Sequence, residues 1–205
     1  MDLSLYIPAF VTLFVIIDPI GLAPLFVALT QGMTPRQRRS IAIRACLVAA
    51  ALLTLFGVAG EAVLGFLGIS MPAFRMAGGI LLFLTALDML FERRSQRRQG
   101  TADSEPEGED PSVFPLAIPL IAGPGAIATM ILLTGQNDST LNLLAIHGVM
   151  ALVIACVFTL FLLAAPLERL LGPTGINVVT RLLGMLLAAL SVQFVIDGLR
   201  DLQVI

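Results

Sequence analysis

The sequence has no lysine and no tryptophan, one histidine and two cysteines, and only 13% of its residues are charged while 58% are hydrophobic. An ordinary soluble domain carries roughly 25% charged residues. The shortage of charge therefore excludes a water-soluble globular fold and leaves an integral membrane protein. Cys46 and Cys156 lie inside apolar stretches with no cysteine or histidine at ligand spacing, and His147 opens another such stretch alone. No metal site can be assembled from them, and both thiols read as small packing residues. A hydrolase needs a nucleophile with its base, or two facing carboxylates at one depth. Only Asp18 is deep in a span, so no enzymatic activity, cofactor or nucleic-acid partner is expected.

What is present is apolar length. Six windows reach the roughly 20 residues needed to cross a hydrocarbon core of about 30 Å: 3–29, 41–67, 71–91, 113–135, 141–165 and 174–199. The first reads as a span and not a signal peptide, because Asp2 stands where a basic segment would be and no small-residue cleavage site follows. Without lysine, the twelve arginines alone set orientation. Ten of them (36, 38, 39, 44, 93, 94, 97, 98, 169 and 181) fall at one end of the spans and only Arg75 and Arg200 at the other. The positive-inside tendency then places both termini outside and the first, third and fifth loops in the cytoplasm.

One long polar segment, 92–112, "ERRSQRRQGTADSEPEGEDPS", has no apolar anchor and reads as a flexible cytoplasmic linker. It separates a first three-span unit, 1–91, from a second, 113–205. The units match: "DPIG" and "GPGA" place Pro19 and Pro124 at an offset of 105, and "FRMAGGILLFLT" and "TRLLGMLLAALS" place Arg75 and Arg181, Gly78 and Gly184, Thr85 and Ser191 at 106. An odd number of crossings makes the second copy enter from the opposite side. The predicted fold is all-α, six transmembrane helices in two inverted three-helix repeats, an architecture typical of secondary transporters.

Each repeat carries a breaker in its first span. Proline removes a backbone donor and glycine frees the chain, so Asp18-Pro19-Ile20-Gly21 should interrupt the first helix and Gly123-Pro124-Gly125 the fourth. Freed backbone groups are tolerated at membrane depth only inside protein or beside a wet cavity. The half-helices that follow present N–H groups and a positive dipole end toward the break, which suits the carboxylate of a small zwitterion. The candidate substrate-binding residues are Asp18, Pro19, Gly21, Ala23, Gly123, Pro124, Gly125, Ala126 and Thr129. They are small, so bulky substrates should be rejected. The alternative for either break is a kink that only adjusts packing, and for Asp18 a buried helix cap. Asp18 is also the first candidate for a coupling residue, since desolvation favours its neutral form and the helix N-terminus its ionised form. Arg75 with Asp197, and Arg181 with Asp88, are expected to form reciprocal ion pairs between the third and sixth spans, each arginine about one turn into its helix.

"DPIG", "GISMPAFRMAGGILLF", "PLAIPLIAGPGAIA" and "TRLLGMLLAALSVQFVIDG" together resemble the MarC family of bacterial inner-membrane proteins over nearly the whole chain. The resemblance, with that to the related LysE-type exporters, implies carriage of glycine- or alanine-sized amino acids; proton or sodium coupling and homo-oligomerisation both stay open. The chain departs from the family pattern at Asp18 and Asp197, where many members carry asparagine. Two other classes compete. Electron transfer would place a cysteine beside the proline of each break, where this chain has Asp18 and Gly123. A membrane scaffold or partner subunit without substrate stays open, and a solute-sized cavity would separate it from a transporter.

Overall fold

The computed structural model describes residues 6–91, 110–136 and 139–203, with no strand among them. Its elements are α1 (Tyr6–Ile17), α2 (Pro19–Leu29), α3 (Pro35–Phe66), α4 (Met71–Leu90), an irregular α5 (Ser112–Ile121), α6 (Pro124–Thr134), α7 (Thr140–Leu162) and α8 (Ala164–Asp201). Five stretches are long and apolar enough to cross a membrane, six if the bent α5–α6 pair is one span. The protein is an all-helical integral membrane protein.

Side-chain caps set the helix starts by accepting from N–H groups that have no partner inside the helix. Thr34 and Gln37 form a reciprocal capping box ahead of α3, with Pro35 in the first turn. Ser70 accepts from the Ala73 N–H at the start of α4, and Ser139 from the Asn142 N–H at the start of α7.

Three sequence expectations change. The first half of the fourth span is not an α-helix: the Leu116 N–H donates to Pro111 O at 3.2 Å and the Ala122 N–H to Ala117 O at 2.8 Å, each five residues back. The cause is local. Phe114 and Ile118 each precede a proline, whose ring disfavours helical torsions at the residue before it, and both are extended (φ −121°, ψ 129° and φ −127°, ψ 126°). Second, the connection expected over 166–173 is helical, since α8 begins at Ala164 and breaks only at Gly172, where φ is 61°. Arg181 thus lies about two turns past Pro173, not one. Third, most of the linker, 92–109, lies outside the described residues, but its end is anchored: Asp110 pairs with Arg44, and Ser112 is buried.

α4 and α8 pack antiparallel at close range. A methyl at Gly79 would come within 2.8 Å of Ser191 O, one at Gly184 within 3.3 Å of Ala86 O, and one at Gly198 within 3.0 Å of Pro72 O. Small residues let the backbones approach, the usual currency of helix association in lipid. Around this pair, α3 packs on α5 and α6, and α7 packs on α1 and α2. The α5–α6 pair runs alongside α3. Its start is tied to Arg44 through Asp110, while a methyl at Gly60 would press on the Ile131 side chain of α6. Those two levels of α3 are about 24 Å apart at 1.5 Å per residue. At one end of the bundle the rings of Phe26 and Phe161 stack with centroids 4.4 Å apart, joining the ends of α2 and α7. At the other, Gly135 closes on Met71.

Candidate functional site

The first interruption is built by four residues. Asp18 sits between α1 and α2 in the left-handed region (φ 56°, ψ 64°), where aspartate and asparagine are tolerated better than other side chains. Pro19 follows in the first turn, where its missing donor costs nothing. The Asp18 carboxylate turns back to accept the Gly21 N–H at 3.1 Å. That return needs a glycine: a Cβ on Gly21 would stand 2.2 Å from the carboxylate. Asp18 is fully buried, so the cap removes one orphan donor and helps hold a carboxylate that would otherwise be costly to bury. The cap weighed as the alternative role of Asp18 is present, with Pro19 and Ala23 buried and Gly21 half-buried.

The second interruption is built differently. α5 ends at Ile121, Gly123 precedes α6 with extended torsions (φ −80°, ψ 169°), and no side chain caps the start of α6. The α5–α6 pair bends by 57° there. Gly123 is held by close approach, since a Cβ would meet Pro119 O at 2.5 Å. Ala126 and Thr129 are buried, Gly123 and Gly125 half-buried, and Pro124 exposed.

The two interruptions meet. A Cβ on Gly125 would lie 3.3 Å from the side chain of Ile16, two residues before Asp18, and 3.2 Å from that of Leu82 in the middle of α4. Pro124 faces away from this contact, so the expected lining is only partly assembled. One turn along α6, the Thr129 hydroxyl is buried and makes no hydrogen bond among the described residues. The glycines leave little room for a substituent at either break.

The matching family profile, MarC family integral membrane protein, covers residues 3–203. The chain belongs to the MarC family. It is 39% identical to a UPF0056 membrane protein of Archaeoglobus fulgidus over 97% of this chain and 94% of that one. It is 38% identical to the UPF0056 inner membrane protein YhgN of Escherichia coli K12, over 95% of each chain. A UPF0056 membrane protein of Aquifex aeolicus is 36% identical over 97% of this chain and 94% of its own. No solved structure matches.

The ion-pair residues of this MarC chain lie apart from the breaks, on the α4–α8 pair. Arg75 binds Asp201 at 2.5 Å, not Asp197. The register explains the shift: Gly198 faces Pro72 and Met76, and Asp201 lies one turn further on the same stripe. Asp197 instead accepts from Gln193 at 2.8 Å and lies 3.6 Å from Arg200 on its own helix. Asp88 and Arg181 each have an interaction partner. Sequence reasoning did not read His147 as a buried polar group. His147 has Nδ1 2.7 Å from Leu143 O, while its Nε2 is buried without a partner among the described residues, close to Gly57. The glycine facing it on α3 was the available signal, and it is indistinguishable from an ordinary packing glycine.

Proposed function

We propose that the protein is a secondary transporter of small neutral amino acids of the glycine and alanine type, working by alternating access in a bacterial inner membrane. The observation that carries this reading is the meeting of two helix interruptions beside a fully buried carboxylate. Interrupted helices at a repeat interface are where transporters of this architecture bind substrate.

The packing supports two inverted repeats. Offsetting the first unit onto the second exchanges α1–α2 with α5–α6, α3 with α7 and α4 with α8, and the larger contacts are reciprocal under that exchange. α3 on α5–α6 answers α7 on α1–α2, and α4 on α6 answers α8 on α2. The run of α5–α6 along about 24 Å of α3 supports a single broken span, hence six crossings. The arginine bias puts both termini outside. In this reading the α6 start receives the substrate carboxylate, Thr129 supplies a polar contact, and Asp18 faces the ammonium or a coupling proton. One half rocks against the other to expose the site to each side in turn.

The tight packing at Gly21 and Gly123 favours a second reading, a scaffold without substrate. Proteoliposomes loaded with the purified protein separate the two. The transporter reading expects accumulation of labelled glycine or alanine under an imposed proton or sodium gradient, with leucine and phenylalanine competing poorly. Absence of uptake and exchange of both substrates under either gradient, in both directions, overturns it.

A further inference from the structure

At the arginine-rich end of the bundle, away from the interruptions, a cavity of about 260 Å³ opens between the start of α3 and the α7–α8 junction. Its apolar wall includes Val27, Met33 and Leu162, with the buried, stacked rings of Phe26 and Phe161 behind them. Its polar wall is Arg38, and the opposite wall is Ala164 and Ala165, the first residues of α8, a helix start that no side chain caps. Arg38 is half-buried and positioned: its Nε–H donates to Thr30 O at 3.2 Å, leaving the two Nη groups as the unclaimed part of the guanidinium. Arg36 and Arg39 stand exposed beside it, within about one turn of the same helix.

We propose that this cavity is a binding site for an anionic phospholipid of the adjoining leaflet, with the phosphate on Arg38 and the proximal acyl and glycerol carbons against Val27, Met33 and Leu162. The chemistry is that of an anionic amphiphile: a planar, fixed guanidinium matches phosphate oxygens in paired hydrogen bonds, while the apolar wall takes an apolar stem. The place is also right. The positive-inside tendency puts this end against the cytoplasmic leaflet, where anionic lipids attract basic clusters. A soluble phosphate would use the cation but not the apolar wall, and a zwitterionic lipid the apolar wall but with its charge compensated. The site is independent of the transport reading.

The test is a titration of the delipidated, detergent-solubilised full chain with phosphatidylglycerol, phosphatidylcholine and inorganic phosphate in parallel, following bound lipid by native mass spectrometry and thermal stability. The expected result is saturable phosphatidylglycerol binding that raises the melting temperature, with little response to phosphatidylcholine or phosphate. Arg38→Gln should weaken binding roughly tenfold, the equivalent of one charge-assisted hydrogen-bonded contact. Arg36→Gln should change it less than about twofold, as expected for an exposed charge. Ala165→Phe fills the cavity from an exposed position and should abolish binding while the protein stays folded, so the proposal remains testable if Arg38→Gln does not fold. Equal losses in Arg36→Gln and Arg38→Gln would show diffuse attraction and overturn the site. An equal response to phosphatidylcholine, a full response to phosphate alone, or unchanged binding in Ala165→Phe would overturn it as well.

Discussion

The two interruptions solve one problem by opposite means. Both free backbone groups in apolar surroundings, where an unsatisfied group is expensive. At the first, the chain satisfies itself: Asp18 adopts a left-handed conformation and caps the helix that follows. The two pieces stay within one 24-residue span. At the second, prolines force wide turns ahead of Gly123, the chain bends by 57°, and the next helix starts without a side-chain cap. A self-capped helix start already holds its anion. An uncapped one can still accept a carboxylate, so in the proposed transporter the second interruption is the better place for a substrate anion and the first is better suited to a cation or proton.

Glycine replacements give the largest expected effects. Gly123→Ala drives a methyl into Pro119 O, a backbone atom that cannot rotate away, and should cost about 3 kcal/mol of stability in detergent thermal unfolding, the upper end for overpacking. Gly21→Ala displaces the Asp18 carboxylate and should cost about 2 kcal/mol, roughly the worth of a lost cap. Gly125→Ala meets only side-chain ends at 3.2 and 3.3 Å and should cost less than about 1 kcal/mol, as movable side chains absorb small overlaps. A Gly125→Ala loss as large as that of Gly123→Ala would remove the geometric distinction between these positions.

Asp18 variants come next. Asp18→Ala loses the cap and the tolerance of positive φ together and should destabilise by about 2 kcal/mol. Asp18→Asn keeps both and should unfold within about 0.5 kcal/mol of the parent, since asparagine caps as well as aspartate. If Asp18 couples a proton to transport, Asp18→Asn loses pH-driven accumulation in proteoliposomes while exchange persists. Unchanged accumulation reduces Asp18 to a cap. Capping and a left-handed torsion are served equally by aspartate and asparagine.

The smallest effect on stability belongs to Thr129→Val. Its hydroxyl is buried and bonds to nothing among the described residues, so an apolar replacement of the same shape should change stability by less than about 1 kcal/mol. If that hydroxyl contacts substrate, the same variant raises the KM for glycine uptake severalfold. A large stability loss with unaltered transport would mark Thr129 as structural and weaken the assignment of the second interruption.

The sequence by itself determined which stretches are long and apolar enough to cross a membrane and marked two of the interruptions. Apolar run length and Pro-Gly punctuation are local properties, and the six windows, Asp18-Pro19-Ile20-Gly21 and Gly123-Pro124-Gly125 are all marked within a few residues. Even the wide turns of α5 were available locally, through the prolines after Phe114 and Ile118. Tertiary structure alone decided which groups meet. Arg75 reaches Asp201 and not Asp197, Gly125 rests on Ile16, and Arg38 and Leu162 line one cavity, because each depends on the register and rotation of one helix against another. In a chain whose lipid-facing and buried surfaces are both apolar, hydrophobic pattern carries little of that information. It is carried by the small residues that let particular faces approach.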